Sequence, residues 1–340
     1  NITGKQRHWI QLYQAGLIFR IYKKKNIMIT KSAYNETAYT DDLIFTNSAR
    51  DAWRLILNSI KHEKGFTNIL LPSYIGFTDR EGSGIFDPVE QTNSDFGFYQ
   101  LNDDLSVNIE SLQGLIESGN FNVLLVVHYF GICRNDLIKI KKLCEINQII
   151  FVEDCAHAFH IGAENETLGV TGDFSFYSLH KYFAVSTGGV LKNISGVLEL
   201  QPLPEGDKIN IDVAIQLLKS NNKAISAKRR ENFELYSKKL KDIKGIELMY
   251  KLTENEIPQT FPILVNDNLR ERLYFYLMER DVPTTALYYR LIDHLNAEDY
   301  PVTNLIASKI LNLPVHQDIN EKDIEVLVSE IENFYNEQSK

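Results

Sequence analysis

Two carboxylates follow an apolar run in the middle of the chain. Residues 151–155 are Phe-Val-Glu-Asp-Cys, and His157 comes two positions later. Ligands in open α/β sheets bind beyond the carboxyl ends of the strands, so Asp154 is placed to meet one. Alternatively, Glu153 or Asp154 simply caps a helix that follows.

A lysine follows the next apolar run. Residues 174–178 precede Lys181, and the pair Gly188-Gly189 opens a further run. An isolated lysine is usually a solvated surface residue. Here, however, Asp154 and Lys181 lie one strand-to-strand step apart and both fall just past a predicted strand end, so the two side chains are expected to meet.

The third candidate is a helix start. Asn47 and Ser48 are good N-caps, and apolar residues follow at helical spacing. The N–H groups of such a start, at Ser48, Ala49 and Arg50, suit a phosphate, although an ordinary capped helix has the same pattern. A lysine for an imine, an acid for a ring nitrogen, a phosphate cradle and an imidazole are together the parts that pyridoxal 5′-phosphate (PLP) needs.

These segments resemble the DegT/StrS group of nucleotide-sugar aminotransferases. The family pattern runs E-D-x-A-[QH]-A, then G-D-x-x-x-F-S-F-x-x-x-K, then G-G. The counterparts here are residues 153–158, residues 172–176, Lys181 and the pair Gly188-Gly189. The match spans about residues 42–335, with supporting similarity at 47–52, 71–74, 128–131, 229–232 and 313–316.

The resemblance implies a fold-type-I PLP-dependent transferase. Such a fold is α/β, with a large, mixed, mostly parallel sheet domain and a smaller C-terminal α/β domain. Lys181 would hold the cofactor as a Schiff base and later act as the base, Asp154 would pair with the pyridinium nitrogen, and His157 would contact the ring or its phenolic oxygen. The substrates implied are a nucleotide-linked keto sugar used in polysaccharide biosynthesis and an amino-acid donor such as glutamate.

The predicted site contains no metal ligand. Lys181 and Asp154 are the predicted catalytic residues. The predicted cofactor contacts are Ser48, Ala49, Arg50, Tyr74, Phe77, Asp154, His157, Ser175, Ser178 and Lys181.

One departure from the family pattern concerns the lysine. The spacing from Ser175 to Lys181 is one residue longer than in the family, so alignment on Ser-Phe would put His180 at the lysine position, as in dehydratase relatives. Alignment on the glycine pair favours Lys181 and makes Ser178 the first choice for the phosphate hydroxyl.

Other departures concern the walls of the site. Arg50 stands where the family has a small threonine, and Tyr74 and Phe77 are both candidates for stacking on the ring. The family's G-Y-N-Y-R segment, through which a neighbouring subunit reaches the cofactor, has no clear match. A PLP-dependent sugar dehydratase and a non-catalytic relative that binds a ligand or partner therefore remain alternatives. A dinucleotide-binding protein is disfavoured because no G-x-G-x-x-G follows a strand.

The alternation of elements predicts three regions. They are an N-terminal arm (1–40), a PLP-binding large domain (41–205) and a smaller C-terminal domain (206–340). Strands are predicted at 68–74, 122–130, 148–155, 174–178 and 188–191, with a helix at 137–144 between two of them. Further along, we predict helices at 227–243, at 269–280 and from Asn320 onward, and strands at 246–250 and 261–265.

Composition excludes several classes of protein. The net charge of −9 argues against general nucleic-acid binding. Cys133, Cys144 and Cys155 form no metal or disulfide pattern, so we expect reduced thiols and a cytoplasmic protein. No apolar run approaches the roughly 20 residues of a membrane span, although residues 9–25 could lie on a membrane surface. We expect a homodimer, to which this aromatic-rich arm could contribute.

Overall fold

The computed structural model describes residues 43–79, 82–158, 168–209, 213, 222–282, 284–296 and 298–338. The predicted N-terminal arm, residues 1–40, lies outside these ranges, so its helix and its contacts stay predictions. Among the described helices, none is both long enough and apolar enough to cross a membrane.

Seven strands form the larger sheet. They are β1 (Leu43–Thr46), β2 (Asn68–Pro72), β3 (Asp95–Tyr99), β4 (Val123–Val127), β5 (Ile150–Cys155), β6 (Phe174–Ser178) and β7 (Gly189–Asn193). Their order across the sheet is β1, β7, β6, β5, β4, β2, β3, and among these described strands β7 alone runs against the others. β4 and β5 are buried along their whole length, as expected of central parallel strands. The predicted α/β class with a mixed, mostly parallel sheet is confirmed.

Four α-helices are described in this part of the chain. They are α1 (Ala49–Lys64), α2 (Phe86–Gln91), α3 (Ile109–Ser118) and α4 (Leu137–Ile146). The predicted helix start near Ser48 is confirmed, because the Ser48 side chain caps α1. Trp53 of α1 is fully buried, stacks on Phe176 of β6 at 5.8 Å and donates its indole N–H to the Ile85 carbonyl oxygen at 3.1 Å. These contacts seat α1 on the strand that leads to Lys181.

The C-terminal part builds a second, antiparallel sheet. Its strands are β8 (Ile246–Leu248), β9 (Thr260–Val265) and β10 (Ile310–Pro314), with β9 in the middle. Its helices are α5 (Asn222–Leu240), α6 (Arg270–Met278), α7 (Pro301–Lys309) and α8 (Glu321–Gln338). Phe233 of α5 packs edge-on against Phe261 of β9 at 4.5 Å. Buried apolar residues of both sheets belong to one continuous core.

The glycine pair brings the start of α1 against the strand that follows Lys181. Gly189 begins β7, and a Cβ added to it would lie 2.3 Å from the carbonyl carbon of Ser48. Gly188 has a φ of +128. Its carbonyl oxygen accepts the Leu179 N–H at 2.9 Å, and its own N–H donates to the Asn47 carbonyl oxygen at 2.6 Å. A side chain at Gly189 would therefore push the start of α1 away from β7, whereas one at Gly188 would crowd the side chains of Leu179 and Val213.

Substitution of Gly189 tests this packing. Gly189→Ala should lower the free energy of unfolding by about 1–3 kcal/mol, because the new methyl group overlaps the Ser48 backbone. Gly114 of α3 is a matched control, since a Cβ there meets nothing within 4 Å, and Gly114→Ala should instead stabilise the helix by about 0.5–1 kcal/mol. Urea unfolding of both variants measures the difference. Equal effects would contradict the close approach.

Candidate active site

A cavity of about 870 Å³ opens where the ends of β5 and β6 meet the start of α1. Part of its wall comes from the C-terminal half of the chain, from α6 and from residues 284–289. The predicted site residues that line this cavity are Ser48, Ala49, Arg50, Phe77, Asp154, His157, Ser178 and Lys181.

Lys181 ends a 3₁₀ turn, Leu179–Lys181, directly after β6. Its carbonyl oxygen accepts a hydrogen bond from Arg229 Nη2 at 3.0 Å. Arg229 is only 2% exposed, and its guanidinium lies over the ring of Tyr182 at 4.3 Å. The second terminal nitrogen of Arg229, Nη1, donates to the carbonyl oxygens of Pro258 and Gln259, just before β9. A buried arginine of α5 thus fixes the backbone from which the lysine side chain reaches the cavity.

Asp154 lies near the end of β5 and is 3% exposed. Its Oδ1 accepts the backbone N–H of Ala156 at 2.8 Å. Burial raises the pKa of Asp154 to about 6, although the Ala156 N–H and the nearby charge of Lys181 act in the opposite direction. The carboxylate is therefore poorly compensated in the cavity as described, and a cation beside it would favour its charged form.

His157 presents a defined tautomer to the cavity. Burial, with the positive charges of Lys181 and His180 nearby, holds the pKa of His157 well below its ordinary value, so the ring is neutral. The backbone N–H of Phe130 donates to Nδ1 at 3.3 Å. Because Nδ1 is an acceptor, Nε2 carries the proton. A hydrogen-bond donor therefore lines the same cavity as Asp154.

The start of α1 and the end of β6 supply the polar groups at one end of the cavity. Ser48 Oγ accepts the Asp51 N–H at 3.2 Å and donates to the Asp51 carboxylate at 2.7 Å. Arg50 is partly exposed and lies 3.6 Å from an acidic side chain of α2. Ser178 is buried, and its Oγ lies 3.2 Å from His180 Nδ1. Hydroxyls, a guanidinium and the N–H groups of a helix start are suited to an anion.

Two predicted cofactor contacts do not line the cavity. Ser175 is fully buried and donates its hydroxyl to the Gly169 carbonyl oxygen at 3.0 Å. Side chains alternate along a strand, so Ser175 points away from the face that carries Phe176 and Ser178. Tyr74 is also fully buried, and its hydroxyl donates to the Leu287 carbonyl oxygen at 3.0 Å. We therefore remove Ser175 and Tyr74 from the set of cofactor contacts.

Glu153 has a structural task on the opposite face of β5. Its carboxylate accepts three backbone N–H groups, from Gly169, Thr171 and Gly172 at 2.7–3.0 Å, and lies 2.8 Å from His128 Nε2. Burial works against its charge, yet the hydrogen bonds from His128 and the backbone lower its pKa. Glu153 therefore anchors the loop before β6. His128, Glu153 and Cys155 form a cluster with metal-ligand side chains, but the backbone already engages the Glu153 oxygens.

The C-terminal wall of the cavity was not predicted from the sequence. Side chains that line it include Arg270, Tyr274, Phe275, Tyr288 and Tyr289. The cluster of aromatic residues at 274–276 and 288–289 was the available signal, but in sequence it is far from Asp154 and Lys181. Arg229 was recognised only as part of a motif, and its contact with the Lys181 carbonyl could not be read from spacing.

Two named enzymes are similar to the chain in sequence. The dTDP-4-amino-4,6-dideoxy-D-glucose transaminase of Shigella dysenteriae is 26% identical over 245 residues, which cover 61% of this chain and 65% of that protein. The GDP-perosamine synthase of Vibrio cholerae is 22% identical over 269 residues, which cover 68% of this chain and 71% of that protein. The chain thus spans slightly less than two thirds of the Shigella enzyme.

A solved structure and a family model agree with this similarity. The putative sugar aminotransferase Spr1654 from Streptococcus pneumoniae, in its PLP form, matches with a TM-score of 0.69 over 86% of each chain. At 14% identity this likeness concerns the fold alone. The family model matches residues 43–198 and 211–332, which include every cavity residue described above. The chain belongs to the DegT/DnrJ/EryC1/StrS aminotransferase family.

Proposed function

We propose that the protein is a PLP-dependent aminotransferase that transfers an amino group from an amino acid such as glutamate to a nucleotide-linked keto sugar. The observation that carries this proposal is the meeting of Lys181 and Asp154 in one cavity, beside the start of α1. The names of the two similar enzymes contain dTDP- and GDP-linked sugars, which supports a nucleotide-linked acceptor.

The cofactor of this family is PLP, and the cavity residues fit it. Asp154 is a buried carboxylate with a raised pKa, and a protonated ring nitrogen is the kind of cation that would relieve its burial. The start of α1 and Ser178 suit a phosphate. When bound, PLP supplies an aldehyde that takes up an amino group and a ring that accepts the electrons of a breaking C–H bond.

In this proposal the protein holds the cofactor and moves the protons. The Lys181 amine would hold the cofactor covalently and, once displaced by the amino donor, would take the proton from the substrate carbon and deliver it to the cofactor carbon that carries the amino group. Ionised Asp154 keeps the ring nitrogen protonated. The Nε2–H of His157 donates to the phenolic oxygen. Arg229 positions Lys181 through its backbone carbonyl and does not touch the reacting atoms.

The remaining contacts divide between phosphate and ring. Ser178 Oγ, Ser48 and the N–H groups of Ala49 and Arg50 bind the phosphate. Phe77 lines the cavity with a partly buried ring, over which the Arg290 guanidinium lies at 5.2 Å. We keep Phe77 as an apolar wall of the site.

The proposed activity is tested by its first half-reaction. PLP-loaded protein mixed with L-glutamate should release about one equivalent of 2-oxoglutarate per active site, because the amino group stays on the enzyme. Lys181→Ala should slow this release by about 10²-fold or more. Lys228→Ala is the matched control, since Lys228 lies on the surface of α5 in an ion pair with Glu231 at 3.1 Å.

The PLP-loaded protein also distinguishes an aminotransferase from a dehydratase and from a non-catalytic relative. Borohydride should fix the cofactor to the peptide that carries Lys181. PLP binding without release of 2-oxoglutarate would favour a dehydratase, and absence of PLP binding would favour a non-catalytic relative. Labelling of a different lysine would refute the assignment of Lys181.

Asp154→Asn keeps the shape of the side chain and removes its charge. In the cofactor-free protein the pKa of Asp154 is about 6, above its ordinary 3.8, so the folded protein binds this proton more tightly than the unfolded chain. Ionisation therefore costs stability as the pH rises from about 4 to above 6, by about 3 kcal/mol in full. Cofactor-free Asp154→Asn should resist urea better than the parent at pH 8 and lose this advantage at pH 4.

In the loaded enzyme the same variant should lose activity. Without the carboxylate the ring nitrogen is less readily protonated, so the glutamate half-reaction should slow by about 10²-fold or more. Stopped-flow absorbance measures the rate. A rate near that of the parent would mean that Asp154 does not face the ring nitrogen.

We further propose that the protein is a cytoplasmic homodimer that acts in polysaccharide biosynthesis. Each chain would divide into its two domains near residue 205. Exposed apolar side chains beside the cavity support an interface there: Phe275, Met278 and Tyr289 are 46–53% exposed. Light scattering should give twice the chain mass of 39.1 kDa. A monomer that keeps the full activity would contradict the interface. If deletion of residues 1–25 prevents dimerisation but not folding, the arm belongs to the interface.

A further inference from the structure

Tyr288 fills the space above Gly76. A Cβ added to Gly76 would lie 1.9 Å from Tyr288 Cδ1, a distance that no two carbon atoms of different residues can share. The φ of Gly76 is not in the left-handed region, so backbone conformation does not require glycine at this position. The close approach of the Tyr288 ring does require it.

The backbone that follows Tyr288 is hydrogen-bonded to the residues on both sides of Gly76. Phe77 N–H donates to the Arg290 carbonyl oxygen and Ile292 N–H to that of Ile75, both at 3.0 Å. Tyr288 itself has φ +59, a conformation that is uncommon for an aromatic residue. Strained residues of this kind persist where the surrounding contacts hold them, and they concentrate at binding sites.

The ring of Tyr288 also contacts His157, one of the predicted cofactor residues. It lies nearly parallel to the His157 ring, at 5.8 Å and 19°, and its hydroxyl is 3.4 Å from His157 Nε2. Tyr74 supports it edge-on from behind at 5.3 Å. Tyr288 lines the same cavity as Asp154 and Lys181. One aromatic ring from the C-terminal half therefore stands among the groups proposed to hold the ring end of PLP.

We propose that Tyr288 is the aromatic wall that retains the cofactor ring, and that residue 76 is glycine in order to admit it. The inference rests on the PLP assignment in the proposed function and is independent of the identity of the sugar. An aromatic face provides apolar contact and favourable ring geometry for a planar heterocycle. The ring, more than the hydroxyl, should therefore determine how tightly PLP is held.

The affinity for PLP separates the contribution of the Tyr288 ring from that of its hydroxyl. Absorbance titration and equilibrium dialysis give the Kd of each variant, and circular dichroism of the visible cofactor band reports whether the ring is held in one orientation. Tyr288→Ala should raise the Kd for PLP by about ten-fold or more and weaken the band, whereas Tyr288→Phe should stay within about three-fold of the parent. Gly76→Ala keeps the tyrosine but displaces it, and should resemble Tyr288→Ala.

A second glycine–tyrosine pair provides the control. A Cβ added to Gly245 would lie 2.5 Å from Tyr335 Cε1, and this pair does not line the cavity. Tyr335→Ala should change thermal stability without changing the Kd for PLP. If Tyr288→Ala does not fold, Gly76→Ala decides the matter, because it retains every side chain of the site.

The possible failures are distinguishable. Parent-like PLP affinity in Tyr288→Ala, or in Gly76→Ala, would overturn the role of Tyr288. Tighter binding by Tyr288→Ala would overturn it as well, since the ring would then compete with the cofactor. If the parent protein binds no PLP, the proposed function itself fails.

Discussion

The buried carboxylate of Asp154 is the constraint around which the site is arranged. It lies at the end of a central strand, where burial raises its pKa to about 6, and its neighbours compensate its charge only in part. Lys181 lies near enough to stabilise the ionised form, while His157 is kept neutral by its own burial. A negative charge, an amine and a neutral hydrogen-bond donor thus line one cavity.

Adjacent carboxylates on β5 have separate tasks because a strand sends successive side chains to opposite faces. Glu153 is saturated by backbone N–H groups and fixes the loop before β6. Asp154 faces the cavity and accepts the Ala156 N–H. Glu153 therefore stabilises the loop that leads into β6, and β6 in turn positions Lys181 near Asp154.

The sequence predicted the parts of the site that depend on local spacing. Asp154, Lys181 and the glycine pair follow strand ends, and Ser48 precedes a clear helical pattern. Strand β3 was missed because it is largely exposed and contains Gly97, and β1 is only four residues long. Tyr74 and Phe77 could not be ranked, because the direction of each side chain depends on the bend after β2. Tyr288 and Arg229 could not be placed, because their contacts join residues far apart in sequence.

The contribution of the C-terminal half has a consequence for the order of events during synthesis. On a ribosome, Asp154 and Lys181 emerge long before Arg229 supports the lysine turn and before residues 270–289 close the cavity. A nascent chain that has just completed the larger sheet carries the reactive amine but lacks much of the wall around it. Cofactor uptake is therefore expected to follow translation of the second sheet, and premature termination would leave an exposed lysine with little means of retaining an aldehyde.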